Sequence, residues 1–236
     1  MRGVNFLKKV LVLEDESSIR SFVVINLKRA GYEPLEAETG DAAFRQLRAN
    51  PDIRIALLDV MLPDTDGFEV CRKIRATDSK IGIIMLTAKS QEMDKITGLM
   101  TGADDYVTKP FSPTELTLRV DALYRRTGAL ETIATETGEY TNGPFKLNIR
   151  NRTLEKSGKR IKLTAIEYSI MELFMSTPGK ALSREDILSS VWGRDYYGEL
   201  KIVDVNIRRL RLKVEDDPTM PSYITTVWGF GYKWGF

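Results

Sequence analysis

IRIALLDVMLPDTDG, residues 53–67, contains an apolar run at 55–58 with no polar side chain for either face. A run of that kind reads as a strand covered on both sides, as in a parallel sheet. It ends in Asp59, and Pro63, Asp64, Asp66 and Gly67 then supply turn chemistry. A carboxylate therefore stands at the carboxyl end of a central strand, where open α/β sheets place their ligand crevice.

Working outward, residues 8–14 (KKVLVLE) read as a second buried strand that ends in Glu14, Asp15 and Glu16. Helical spacing over 17–30 stops at Gly31. A short strand at 32–37, a helix at 41–49, a helix at 68–76 and a strand at 81–86 ending at Thr87 follow. Residues 91–101 are helical, and 105–108 form a last strand before Lys109 and Pro110. SPTE, residues 112–115, opens a helix to about 126, with serine as cap and proline at the first helical position. Five βα units imply a doubly wound five-stranded parallel sheet of order 2-1-3-4-5. Residues 128–142, few of them apolar and none periodic, read as a linker.

Residues 143–236 change style. Alternating segments near 145–149, 152–155 and 160–163 predict a small antiparallel sheet. Thr164 with Glu167, and Ser183 with Asp186, form capping boxes for two helices. A third helix spans 203–214, and 223–227 with 232–234 flank a hairpin turn. Three helices and a terminal hairpin predict an α+β winged helix-turn-helix. The domains are thus 1–127, a linker at 128–142, and 143–236.

Charge follows the same division. Residues 1–127 carry 19 basic and 19 acidic side chains, 128–142 carry none and 3, and 143–236 carry 16 and 11. A net +5 in the last segment points to an anionic partner. The single cysteine, Cys71, fits a reducing compartment, and no apolar run reaches membrane-spanning length, so a soluble cytoplasmic chain is expected. The absence of histidine excludes a histidine base or phosphocarrier.

In the 2-1-3-4-5 order, strands one and three are neighbours, which brings Glu14 and Asp15 beside Asp59. Three carboxylates in one crevice repel unless a cation neutralises them, and Mg²⁺ takes one or two carboxylates together with phosphate oxygens. Thr87 adds a hydroxyl and Lys109 an ammonium. Singly, each of these is as readily a cap or a surface charge. Together they suit a phosphoryl group, with a carboxylate nucleophile forming an aspartyl phosphate.

LLDVMLPDTDGFEVC, IIMLTAK, GLMTGADDYVTKPFSPTEL and the Glu14 and Asp15 pair resemble the receiver domain of bacterial two-component response regulators over residues 7–126. The resemblance implies that Asp59 accepts phosphate from a sensor histidine kinase. It implies that Glu14, Asp15, Asp59 and the Met61 carbonyl hold Mg²⁺, that Lys109 pairs with the phosphate, and that Thr87 and Tyr106 form the switch. It also implies a cis peptide between Lys109 and Pro110. Glu14 stands where many relatives have aspartate. The OmpR/PhoB subfamily dimerises through the helix at 91–101, the strand at 105–108 and the helix after Ser112. Lys95, Asp104, Asp105, Glu115, Arg119 and Arg126 match its charges, and Ile96 and Leu99 its apolar centre. Asp121 and Thr117 depart from the commoner pattern there.

On the helix 203–214, Val203, Ile207, Leu210 and Val214 share one face, the core face. Lys201, Val205, Arg208 and Arg209 project from the opposite side, and arginine reads guanine while valine touches thymine methyl groups. Residues 143–236 resemble the OmpR/PhoB winged-helix effector, which adds Arg211 and the wing residue Trp228 to the DNA-facing set. Trp228 occupies a position that is often arginine. As a large indole it is expected to pack against Phe230 and the third helix, with stacking on DNA sugar edges as the alternative. Residues 192–200 resemble a loop that touches RNA polymerase. The expected function is a non-enzymatic, phosphorylation-controlled regulator that binds promoter DNA as a dimer. Two readings compete: a phosphatase that turns over on Asp59, which lacks an acid/base aspartate at Met61, and a winged helix that binds protein alone.

Overall fold

The computed structural model describes residues 8–88, 101–128, 138–194, 196 and 198–235. They divide into two compact units, Met1–Thr127 and Gly128–Phe236.

The first unit alternates strands and helices: β1 (Lys8–Leu13), α1 (Ser17–Arg29), β2 (Tyr32–Ala37), α2 (Gly40–Ala49), β3 (Ile55–Asp59), α3 (Gly67–Thr77), β4 (Gly82–Ala88), β5 (Asp105–Lys109) and α4 (Pro113–Gly128). All strand pairs are parallel, in the order β2-β1-β3-β4-β5. That is the order expected from the sequence. Residues 10–13 and 55–58 have no exposed surface, as the unbroken apolar runs predict. Gly31, at φ +84°, ends α1 in a conformation that only glycine adopts without strain.

The register brings the functional ends level. Leu13 pairs with Leu58, Asp59 with Leu86, Thr87 with Thr108 and Ala88 with Lys109. Residues 14, 59, 87 and 109 therefore emerge at one edge of the sheet. Gly67 shapes the chain beyond Asp59. A Cβ there would lie 1.9 Å from the Asp59 carbonyl oxygen, so only glycine lets α3 start against the strand end. Asp66 caps α3 by accepting from the Phe68 amide at 2.8 Å, and Asp64 accepts from the Gly40 amide at 3.2 Å. Asp66 is thus a helix cap, and Asp64 ties the loop to the start of α2.

The second unit holds β6 (Glu139–Asn142), β7 (Phe145–Asn148), β8 (Thr153–Lys156), β9 (Lys159–Ile161), α5 (Ala165–Ser176), β10 (Ala181–Ser183), α6 (Arg184–Trp192), α7 (Lys201–Val214), β11 (Ile224–Val227) and β12 (Gly231–Trp234). It is a winged helix-turn-helix domain with an antiparallel sheet β6-β7-β8-β9 before the helices and a sheet β10-β12-β11 forming the wing. Two strands escaped the sequence reading. Residues 139–142, assigned to the linker, pair with β7, and 181–183 join β12 as a third wing strand. Each owes its extended form to a partner strand. The core gathers Phe145, Phe174 and Trp234, with the Phe145 and Trp234 ring centroids 5.0 Å apart. Both expected capping boxes are present, at Thr164 with Glu167 and at Ser183 with Asp186.

Candidate functional site

Glu14 leaves the end of β1 and is completely buried, Asp59 ends β3 at 6% exposure, and Asp15 beside them is exposed. One ligand oxygen from each of the three lies within 4.8 Å of the others. Lys109, at the end of β5, reaches into the cluster. Its Nζ is 2.7 Å from Glu14 Oε2 and 2.9 Å from Asp59 Oδ2. Glu14 Oε1 has no hydrogen-bond partner among the described residues. Burial pushes the Glu14 carboxyl up to about 7, the Asp59 charge adds to this, and Lys109 opposes it. For Lys109 burial alone acts downward, but the hydrogen bonds and charges of Glu14 and Asp59 outweigh it and raise the ammonium above its usual value.

One ammonium thus serves two buried carboxylates, with a third at the rim. A hard divalent cation fits this donor set of carboxylate oxygens, including one buried oxygen without a partner. Met61 sits in the same loop, 69% exposed and bridged through its backbone to Asp66. Thr87 is buried at the end of β4, and its hydroxyl makes a long contact to its neighbour Ala88 O at 3.4 Å. Tyr106, on β5, is buried as well. The peptide between Lys109 and Pro110 is cis.

Arg20 was not singled out from the sequence. It is buried in α1 and donates to the Glu14 and Asp15 carbonyls at 2.8 and 3.1 Å. The signal was available: Arg20, Val23, Val24 and Leu27 hold the i, i+3, i+4, i+7 positions of one buried stripe.

The residues of the expected dimer face divide. Lys95, Ile96 and Leu99 lie outside the described residues. Asp105 and Arg119 form a buried pair at 3.0 Å, and Arg119 also reaches Glu115 on its own helix at 2.9 Å. Arg126 Nη1 donates to the Ala122 carbonyl at 2.7 Å. Asp104 does not belong on that face. It has no exposed surface and accepts from Arg75 of α3 at 2.5 Å and from the Ile83 amide at 2.9 Å. Adjacent residues at a strand start point to opposite sides of the sheet, so Asp105 meets α4 while Asp104 meets α3. The two departures on α4 have local partners. Asp121 accepts a hydrogen bond from the Tyr32 hydroxyl, and the Thr117 hydroxyl donates to Pro113 O at 2.9 Å.

On α7, Val203, Ile207, Leu210 and Val214 are buried as expected, and Lys201 and Arg208 are exposed. Val205 and Arg209 correct the outward set, being 8% and 5% exposed. Arg209 pairs with Glu167 of α5 at 3.2 Å and donates to Asn206 at 3.3 Å. Arg211 donates to Ile224 O at 2.7 Å and to the Thr226 hydroxyl at 2.9 Å, so it ties α7 to the wing. Trp228 also overturns the expected packing: it stands 91% exposed at the turn between β11 and β12. Of the two ends of the 192–200 segment, Trp192 closes α6 as buried core while Leu200 is exposed.

Comparison with known proteins agrees with both halves. Residues 10–121 match the model of the response regulator receiver domain, and residues 158–234 match that of the transcriptional regulatory protein C-terminal domain. The structure of response regulator DrrB, a Thermotoga maritima OmpR/PhoB homolog, is 34% identical, covering 98% of this chain and all of that one at a TM-score of 0.50. A mutant of RitR is 28% identical over 96% of this chain and 98% of its own, at a TM-score of 0.78.

Proposed function

The chain belongs to the OmpR/PhoB-type response regulators, transcription factors of two-component systems that carry a receiver ahead of a DNA-binding domain, and we propose that Asp59 is its phosphoacceptor. The observation that carries this reading is the convergence of Glu14, Asp59 and Lys109 within hydrogen-bond distance at one sheet edge. An Asp59 oxygen attacks the phosphorus of a sensor histidine kinase's phosphohistidine. The new P–O bond forms as the P–N bond breaks, with the electron pair leaving on the imidazole. Glu14, Asp15, Asp59 and the Met61 carbonyl would hold Mg²⁺, which when bound neutralises charge on the phosphoryl oxygens. Lys109 exchanges its carboxylate partners for a phosphoryl oxygen. Asp59 phosphate brings up to two negative charges, toward which Thr87 turns its hydroxyl, and the buried Tyr106 repacks into the space it leaves.

The phosphorylated chain dimerises through the face that includes Asp105, Glu115, Arg119 and Arg126, with Lys95, Ile96 and Leu99. Residues 139–236 bind promoter DNA, with Lys201 and Arg208 facing the duplex and Trp228 at its margin. Leu200 and its loop are available to RNA polymerase. No helix among the described residues is long and apolar enough to cross a membrane, consistent with a cytoplasmic site of action. Genomic fragments captured by the full chain with and without acetyl phosphate and Mg²⁺, with sedimentation of the same samples, test the scheme. Phosphodonor-dependent enrichment of discrete fragments together with a monomer-to-dimer shift is expected. Capture and mass that ignore the phosphodonor would refute it.

A further inference from the structure

Arg20 shares a buried stripe of α1 with Val23, Val24 and Leu27. The three apolar members are core. A guanidinium there loses its water and needs an acceptor for each donor. It finds four: Nη1 donates to Glu14 O at 2.8 Å and Asp15 O at 3.1 Å, Nη2 to Glu38 Oε1 at 2.6 Å, and Nε lies 3.4 Å from Glu36 Oε2. The side chains of Glu36 and Glu38 are 49% and 69% exposed, and ion pairs with such partners contribute little. The carbonyl contacts are different in kind. They fix two consecutive peptide units, and those units carry the two acidic side chains that face Asp59.

A second observation says why such a clamp is needed. Glu14 is fully buried, its Oε1 has no hydrogen-bond partner among the described residues, and Lys109 is shared with Asp59. Left free, the loop after β1 would relieve this repulsion by turning Glu14 toward water. Its backbone is held instead, by Arg20 from the helix side and by the Glu14 amide donating to Ala37 O at 3.1 Å.

We infer that Arg20 is a positioning residue for a divalent-cation site: its guanidinium locks the Glu14 and Asp15 carbonyls so that both carboxylates are preset around the cation. This rests on the reading of the acidic cluster as a Mg²⁺ site. Arg20 acts through Glu14 and Asp15 and touches neither cation nor phosphoryl group.

The test is a calorimetric Mg²⁺ titration of the full chain. Wild type is compared with Arg20→Met, which keeps an apolar stem and loses every donor, with Arg20→Lys, and with a Glu36→Gln, Glu38→Gln double variant. Supporting partners of metal ligands typically change affinity about 10–100-fold. Arg20→Met should therefore raise the Mg²⁺ dissociation constant at least about tenfold, with Arg20→Lys in between and the double variant at the wild-type value. Labelling by acetyl phosphate should show a raised Mg²⁺ half-saturation and an unchanged plateau rate. An arginine that only supports the fold would lower the melting temperature without moving the Mg²⁺ constant, and that result in Arg20→Met or Arg20→Lys would overturn the proposal. So would an equal loss of affinity in the double glutamine variant, because charge pairing would then be the cause. No Mg²⁺ binding by the wild type would overturn the cation site itself, and Arg20's role with it.

Discussion

Glu14 in the first unit and Glu167 in the second are both fully buried glutamates, and each meets lysine or arginine at hydrogen-bond distance. Their surroundings differ in the sign of the local balance. Glu14 shares one ammonium with Asp59 and has Asp15 beside it. Glu167 instead faces two cations, Arg209 at 3.2 Å and Lys213 at 2.5 Å, and it accepts from the Thr164 amide at 2.8 Å. Burial drives the Glu14 carboxyl up to about 7. For Glu167 burial pushes the same way, but Arg209 and Lys213 outweigh it and hold the carboxyl below its ordinary 4.5. A buried carboxylate with more cation than it needs is a pin, here joining α5 to α7. One with less than it needs is a place for something to bind.

The strongest way to break this contrast is to remove the nucleophile. Asp59→Asn should abolish Mg²⁺-dependent labelling by acetyl phosphate, read as the phosphoryl mass increment on the intact chain. Full labelling of the variant would take Asp59 out of its role. Glu167→Ala should leave labelling intact and destabilise the second unit by about 3–5 kcal/mol, since it removes the buried carboxylate that balances Arg209 and Lys213. Urea unfolding followed by tryptophan emission reads this selectively, because Trp192, Trp228 and Trp234 all lie in that unit. The sign with pH follows from the lowered carboxyl. The stabilisation by Glu167 is present above pH 4.5 and is lost as pH falls through the lower folded value. Glu167→Gln should flatten that acid dependence.

The two neighbouring arginines of α7 sharpen the contrast between pin and site. Arg208→Ala should weaken DNA binding by about 1–3 kcal/mol if its guanidinium reads a base, with the melting temperature unchanged. Arg209→Ala should instead lower stability, so the order of the two effects across melts and binding isotherms identifies which arginine faces outward. The smallest effects belong to Trp228. Trp228→Ala should change stability by no more than about 0.5 kcal/mol, as for other exposed positions. Trp228→Arg should steepen the salt dependence of DNA binding by about 0.9 in log–log slope, one added phosphate contact. A marked drop in melting temperature for Trp228→Ala would return the indole to the core.

The positions that the sequence reading misjudged share a cause. A helical wheel separates Val203 and Leu210 from Arg208, but it does not say which flank a second helix covers. α5 reaches the flank that carries Arg209 through Glu167, and Val205, one turn earlier on that flank, is buried as well. Strand alternation places Asp104 and Asp105 on opposite faces, but which face meets Arg75 depends on where α3 lies. Trp228 is apolar enough for any core, yet it sits on a two-stranded turn where no element among the described residues covers it. Hydrophobicity states a preference for burial and supplies no partner.

What the sequence by itself determined was local and periodic: the doubly buried strands at 10–13 and 55–58, the capping boxes, the turn after Asp59, and the alignment of Glu14, Asp59, Thr87 and Lys109 at strand ends. Each follows from side-chain period, backbone sterics or the handedness of βα units, which act over a few residues. Only the tertiary structure decided that Lys109 lies between Glu14 and Asp59, that Arg20 clamps the acidic loop, that residues 139–142 pair as a strand, and that Arg209 faces Glu167. Those contacts join segments distant in sequence. Electrostatics and hydrogen bonding depend on distance in space, which a one-dimensional pattern does not contain.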